Sequence, residues 1–220
     1  MATNIEIENF YKTYGPIVAE QCKGTGLHPE VILSQLILES AYGTSNAAHG
    51  NLGGRKITES KKQKGKENVD YKITKTTEKF NSEKEINAFI KQQEALGYKV
   101  YGKPVKEGNQ FVVKVDQAFE ISGDGSPESN VQGQIAFLQN NPRYRKAGLF
   151  DAKTPEEAAD ILKKAGYATE GDYAGALKGV FNSKRFDNLY QVPKENTSNN
   201  TTAKEVTVDD IEAKYGPTAR

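Results

Sequence analysis

The stretch HPEVILSQLILESAYG, residues 28–43, decides how this chain is read. His28-Pro29 puts proline, with its fixed φ and no N–H to satisfy, at the first position of a helix. Ile32, Leu36 and Glu39 then recur at i, i+4 and i+7 and so share one helix face. A carboxylate therefore stands on an apolar stripe. Glu39 also falls in the last turn before Gly43, where the negative end of the helix macrodipole opposes ionisation. Burial acts in the same direction, and both effects raise its pKa, the condition for a general acid near neutral pH. The same spacing also describes a Glu at the rim of a core, satisfied by backbone or by an Arg.

Working outward, further helix starts carry their own signals. Ser126-Pro127 opens a run to about Asn140, and Thr154-Pro155-Glu156-Glu157 leads to Lys164 with Gly166 as its stop. Ser82 and Glu85 form a capping box before a helix to about Leu96, and Asp172 caps a helix from Tyr173 to about Asn182. Residues 5–23 read as one or two helices broken near Gly15-Pro16. Two places read as strand instead. Val69, Tyr71 and Ile73 alternate with polar residues into Thr74–Thr77, and Lys99–Val105 and Phe111–Val115 flank Glu107-Gly108-Asn109 as a hairpin. The pattern is α+β and mainly α: a helical domain with a small β lobe, residues 66–118, in its middle.

Composition narrows the chemistry. The chain has 220 residues, 36% apolar and 27% charged, with a mean hydropathy of −0.71. The longest apolar run, Val31–Leu38, is interrupted by Ser34 and Gln35 and is far short of a membrane span, so no membrane insertion is expected. Thirty basic residues against twenty-nine acidic ones argue against nucleic acid as a partner. One cysteine, Cys22, and two histidines, His28 and His49, give no disulfide and no usual metal site, and no cofactor is expected. Carboxylates, hydroxyls, amides and the eleven tyrosines remain to do chemistry or to stack against a ring-shaped ligand.

Charge is unevenly spread. Between Arg55 and Lys79 nine basic residues face four acidic ones. This is either a solvated loop or a stretch that steers the protein toward an anionic polymer, in which case rates fall as salt rises. Residues 196–202, NTSNNTT, form a polar tract unable to bury enough surface to fold. Residues 1–190 are therefore expected to form the working domain. Residues 191–220 are expected to be a linker and a short terminal segment, with Val208–Tyr215 as a short helix. KTYGP (12–16) and AKYGP (213–217) are read as chance similarity.

Four blocks carry a family resemblance: YGPIVAEQCKGTGLHPEVILSQLILESAYGTS (14–45), NLGG (51–54), NPRYRKAG (141–148) and AGYATEGDYAGAL (165–177). In this order they resemble the signature blocks of glycoside hydrolase family 73, the peptidoglycan N-acetylglucosaminidases, over about Phe10–Asn182. The resemblance implies a lysozyme-like helical fold with the β lobe over a cleft. The implied activity is an endo-β-N-acetylglucosaminidase that cuts the β-1,4 bond between N-acetylglucosamine and N-acetylmuramic acid. It assigns Glu39 as general acid and Tyr167 as the active-site tyrosine. Tyr42, Asn51, Leu52 and Tyr173 become candidates for substrate contact, with packing as the other role open to Tyr167 and Tyr173. For the second carboxylate it points to Glu78 in Thr76-Thr77-Glu78, with Asp70, Glu120 and Asp124 as rivals and the substrate's own acetamido oxygen as a third route.

Departures from the family pattern are specific. NLGGRK stands for an NLFGIK-like run, so an aromatic is missing from the expected cleft floor at Gly53. Glu170 stands where Asp is common, and Ile57–Val115 aligns poorly. Two other functions share the fold: a lytic transglycosylase, and a non-catalytic wall-binding or virion structural protein. The first ten residues, MATNIEIENF, are acidic where a secretion signal is basic and apolar. The expectation is an enzyme that acts on the bacterial cell wall, virion-associated or released by a non-classical route, and tethered through its tail to a virion or export apparatus.

Overall fold

The computed structural model describes residues 2–45, 50–57, 71–168 and 171–190. Asp70, the four lysines between 61 and 66, Glu170 and the tail from 191 onward lie outside them, and so do NTSNNTT, expected as a linker, and Val208–Tyr215, expected as a short helix.

Helix α1, Asn4–Gln21, opens on a capping box: Thr3 Oγ1 accepts from the Glu6 amide, and Glu6 Oε2 accepts from the Thr3 amide at 2.7 Å. It is one continuous helix with Pro16 inside it, so the expected break near Gly15-Pro16 does not occur. Proline removes one hydrogen bond there. Burial on both sides of it compensates, by Phe10 and Tyr11 before and Val18 after, while Gly15 lies flat against the Tyr190 ring.

Helix α2, Pro29–Ser40, has Val31, Ile32, Leu33, Ser34, Gln35, Leu36 and Ile37 all buried. A helix apolar nearly all round is a core helix, and α2 packs against neighbours on several sides. It stops at Ser40. Ala41 and Tyr42 turn left-handed at φ 50° and 59°, followed by Gly43 at 76°. Ser40 Oγ holds this sharp exit by donating to the Leu36 carbonyl and accepting from the Gly43 amide.

The β lobe is a three-stranded antiparallel sheet and not a hairpin alone. Strands β1 (Tyr71–Phe80), β2 (Val100–Glu107) and β3 (Gln110–Glu120) lie in the order β1-β3-β2. Gly108 and Asn109 close the β2–β3 turn, with Gly108 at φ 59°. Strand β3 continues past Val115 because Val112, Val113, Val115, Ala118 and Phe119 are all buried. Helix α3, Glu83–Ala95, packs on this sheet through Ile86 and a Phe89–Phe80 ring contact at 5.0 Å.

The remaining elements return to the helical body: α4 (Pro127–Gln139), α5 (Pro142–Lys146), a 3-10 turn (Leu149–Asp151), α6 (Pro155–Lys164), α7 (Tyr173–Phe181) and α8 (Lys184–Leu189). The capping and proline signals of α4, α6 and α7 fall where the sequence puts them, whereas α5 and α8 are helices that the sequence reading does not include. Leu33, Leu36, Val131, Leu138, Leu162 and Leu177 join them in one core. None of the helices among the described residues is long and apolar enough to cross a membrane.

Segment 50–57 stitches the two parts together. The Ile57 amide donates to the Ala118 carbonyl, the Glu120 amide to the Arg55 carbonyl, and the Ser122 amide to the Gly50 carbonyl. These bonds lay the segment along the end of β3, between the sheet and helix α4.

Candidate active site

A cleft of about 660 Å³ lies between the helical body and the β lobe, lined by Glu39, Gly53, Arg55, Lys56, Glu78, Lys79, Phe80, Phe137 and Tyr167 among others. Glu39 reaches it because the stripe it ends, Ile32 and Leu36, is fully buried while the last turn of α2 emerges at the cleft floor. Its carboxyl is accessible to solvent yet crowded by protein. Burial raises its pKa, partly offset by a hydrogen bond from Tyr173. Tyr173, at the start of α7, donates through its hydroxyl to Glu39 Oε1 at 3.3 Å. Gly54, at φ 60°, passes close to the other carboxylate oxygen: a Cβ there would stand 3.6 Å from Oε2.

Tyr167 and Tyr173 stack with centroids 5.1 Å apart. Burial, and then the neighbouring Glu39 charge, hold the Tyr167 hydroxyl firmly protonated. Burial does the same for Tyr173, followed by the charges of Tyr167 and Glu39. Both phenols therefore serve as hydrogen-bond donors and acceptors rather than as bases. Arg143 fixes the turn that carries Tyr167 by donating to the Gly166 carbonyl at 3.1 Å.

Behind these groups runs a buried polar chain. Arg55, 7% exposed, donates from Nη1 to Gln134 Oε1 at 3.3 Å and from Nη2 to Ser122 Oγ. Gln134 Nε2 donates to the Tyr167 hydroxyl oxygen at 3.0 Å and to Gln35 Oε1 at 3.3 Å. Gln35 Nε2 donates to the Tyr173 hydroxyl oxygen at 3.3 Å. On the opposite wall, Glu78 on β1 is ion-paired with Lys56 at 3.2 Å. Two carboxyls and the Tyr167 phenol thus border one cavity, with Tyr173 holding Glu39 from behind, an arrangement suited to acid-assisted cleavage of a glycosidic bond.

The glucosaminidase family model, described as mannosyl-glycoprotein endo-beta-N-acetylglucosaminidase, matches residues 15–185. The chain belongs to this family. Its members are glycoside hydrolases. Among solved structures, this glucosaminidase is similar to the catalytic domain of the autolysin Auto from Listeria monocytogenes, with TM-score 0.54 and 19% identity over 86% of this chain and 90% of that one. A peptidoglycan hydrolase from Sphingomonas sp. A1 gives 0.55 and 19% over 83% and 92%. A truncated glycoside hydrolase domain of FlgJ from Salmonella typhimurium gives 0.52 and 23% over 80% and 95%. At these identities the likeness is one of fold, and it agrees with the lysozyme-like helical body and β lobe expected from the sequence. No curated protein matches the chain.

Within the glucosaminidase, the residues singled out from sequence divide by position. Glu39, Glu78 and Tyr167 line the cleft, and Tyr173 touches Glu39 from behind. Tyr42 is turned toward α1, its ring edge-on to Phe10 at 5.9 Å and 6.2 Å from Tyr11. Leu52 is buried in the core, its amide donating to Asn130 Oδ1. Asn51 is fully buried and clamps its own loop: Nδ2 donates to the Arg55 carbonyl, and Oδ1 accepts from the Arg55 amide. Glu120 borders a neighbouring recess of about 300 Å³ with Arg55 and Asn140. Asp124 accepts from the Ser126 amide and Ser129 Oγ, and the Ser126 side chain, then its amide, then Ser129 pull its pKa down to about 2.

The sequence reading missed Gln35, Arg55, Ser122 and Gln134. Gln35 carried a signal, a polar residue inside VILSQLIL, and so did Arg55, inside the departure NLGGRK. Nor is Gly53 a gap in the floor. A Cβ there would stand 2.7 Å from Arg55 Nη1 and closer still to Gln134 Oε1, so the guanidinium and amide occupy the space a side chain at 53 would need.

Proposed function

We propose that this glucosaminidase hydrolyses peptidoglycan, cutting the β-1,4 bond between N-acetylglucosamine and N-acetylmuramic acid with Glu39 as general acid. One observation carries the reading: a carboxyl with raised pKa at the cleft floor, accessible to a sugar oxygen and held on one oxygen by Tyr173. The names of the similar structures, an autolysin and a peptidoglycan hydrolase, support the choice of polymer.

In this reading a glycan strand lies along the cleft with the scissile oxygen over Glu39. The protonated carboxyl delivers its proton as the bond to the anomeric carbon lengthens and positive charge develops on the ring. Glu78, across the cavity and kept in place by Lys56, is the second carboxylate, stabilising that charge and activating the attacking water. Tyr167 donates its hydroxyl hydrogen toward the substrate or the water. Phe80 and Phe137 supply apolar surface for sugar faces. Residues 191–220 serve as a tether to a virion or export apparatus, a reading supported by their polar composition.

Digestion of purified cell walls, followed by mass spectrometry of the muropeptides, tests the reaction. Reducing N-acetylglucosamine ends are expected. Anhydro-muramyl ends in their place would mark a transglycosylase, and wild-type protein inert on walls over a wide pH range would mark a non-catalytic module.

A further inference from the structure

We propose that Arg55 is a positioning residue: its buried guanidinium sets the direction of the hydrogen-bond chain that ends on Glu39 and Tyr167. The inference rests on the reading of Glu39 as the acid.

The direction follows from donor and acceptor chemistry. A guanidinium has five N–H donors and no acceptor. The atom Gln134 turns toward it must therefore be the carbonyl oxygen, since the reversed amide would set N–H against N–H. With Oε1 committed to Arg55, the amide nitrogen of Gln134 faces the opposite way, and its two hydrogens match its two acceptors, Tyr167 Oη and Gln35 Oε1. Because Gln35 accepts through oxygen, its nitrogen must donate, and it does so to Tyr173 Oη. That oxygen now receives one hydrogen, so the hydroxyl hydrogen of Tyr173 is directed to Glu39 Oε1. By the same logic Tyr167, which accepts from Gln134, has its own hydrogen free to donate within the cleft it lines.

The outcome at the acid is regiospecific. Oε1 is occupied by a donor, so the transferable proton resides on Oε2, the oxygen beside Gly54. A reversed chain would let the protonated carboxyl spend its hydrogen on Tyr173 instead of the substrate.

The surroundings are shaped for the guanidinium. Besides the space at Gly53, a Cβ at Gly133 on α4 would stand 2.6 Å from Arg55 Nη2 and 2.7 Å from Ser122 Oγ. Two glycines from different elements thus leave room for one fork. Asn51 fixes the Arg55 backbone through both its amide and its carbonyl, so the side chain leaves from a clamped position. Gln35 and Gln134 are both fully buried, and in such a setting an amide without a fixed partner is disfavoured, which makes the orientation firm.

The test compares Arg55→Met, Arg55→Lys and Gln134→Met by ¹³C NMR titration of the Glu39 carboxyl, by kcat and KM on soluble glycan fragments, and by thermal melting. The other ionisable groups around Glu39 stay in place throughout: Tyr167, Tyr173, Lys56, and Glu78 and Lys79 from β1. Arg55→Met and Gln134→Met are expected to raise the pH at which Glu39 titrates, because Tyr173 is released to accept from it. They are also expected to lower kcat by about tenfold or more, with KM changed less than about threefold. Lysine also presents only donors, so Arg55→Lys is expected to keep the direction and to titrate and turn over closer to wild type than Arg55→Met, and an Arg55→Met protein with wild-type titration and kcat overturns the proposal. So does a loss of activity that follows the melting temperature while the Glu39 titration stays put. A Glu39→Gln protein that still cuts walls overturns the reading beneath the proposal. Inert Glu39→Gln together with unmoved titration in Arg55→Met overturns the role of Arg55 alone.

Discussion

Tyr173 gives its hydroxyl hydrogen to Oε1 of Glu39 across 3.3 Å, joining the start of one helix to the end of another 134 positions earlier in the chain. The bond makes the carboxyl's two oxygens unequivalent, one held from behind and one facing the cavity. It also pulls against burial: the phenol favours the carboxylate, while the crowding around it favours the acid, and burial is the larger effect.

Glu39→Gln is expected to lower kcat on purified walls by about 100-fold or more while wall binding in pull-down is retained, because the amide keeps the shape and loses the proton. Activity within tenfold of wild type would exclude Glu39 as the acid.

The raised pKa of Glu39 has a sign in stability as well. The folded chain binds this proton more tightly than the unfolded chain, so the contribution is complete below the unfolded value near 4.5 and is lost as pH rises through the folded value. Glu39→Gln should therefore melt higher than wild type at neutral pH. The carboxyl opens to solvent, so the gain is small, about 1–3 °C, and it should vanish at pH 3.5 or so. Differential scanning calorimetry at the two pH values checks both halves of the statement.

The pH–rate profile should show an alkaline limb controlled by Glu39, with its midpoint above the ordinary glutamate value of 4.5. Glu39→Asp should move that midpoint, and a limb unaffected by Glu39→Asp would place its control elsewhere.

Glu78→Gln is expected to cost about 100-fold in kcat, whereas Lys56→Met, which removes only the ion-pair partner, should cost less than about tenfold. Azide added to Glu78→Ala distinguishes the role: recovered turnover with a glycosyl azide product confirms an anion needed at that position. Wild-type kcat in Glu78→Gln would leave the acetamido oxygen of the substrate as the nucleophile.

Gly53→Ala should destabilise the protein by about 1–3 kcal/mol in urea unfolding, since its methyl meets the Arg55 and Gln134 side chains. Combined with Arg55→Ile the penalty should fall, because the guanidinium is no longer there to be displaced. Strict additivity of the two changes would show that Arg55 does not fill that space.

Most of the fold was legible because its signals are local. Proline after a capping residue, capping boxes and alternation along β1 each depend on neighbours a few positions apart, and Ser82, Ser126, Thr154 and Asp172 all cap as read. Pro16 is not legible in this way, because its tolerance inside α1 comes from tertiary packing by Phe10, Tyr11, Val18 and Tyr190. The site was legible in part for the same reason. Glu39 announces itself on a helix stripe, but Gln35, Arg55, Ser122 and Gln134 come together from four separate elements, and no periodicity predicts that meeting. Tyr42 illustrates the converse: three positions after Glu39, it is rotated away from the cleft by the left-handed turn at Ala41.

The antiparallel register that places Glu78 opposite Val113 has a consequence for how the cleft tolerates insertions. Side chains alternate along a strand, so adding one residue to β1 ahead of Glu78 would turn that carboxyl to the opposite face of the sheet. Adding two would restore the face but carry it roughly 7 Å along the strand. The spacing between the two acids is in this sense digital: it changes in pleat-sized steps, and point substitutions elsewhere in the lobe leave it where the ladder sets it.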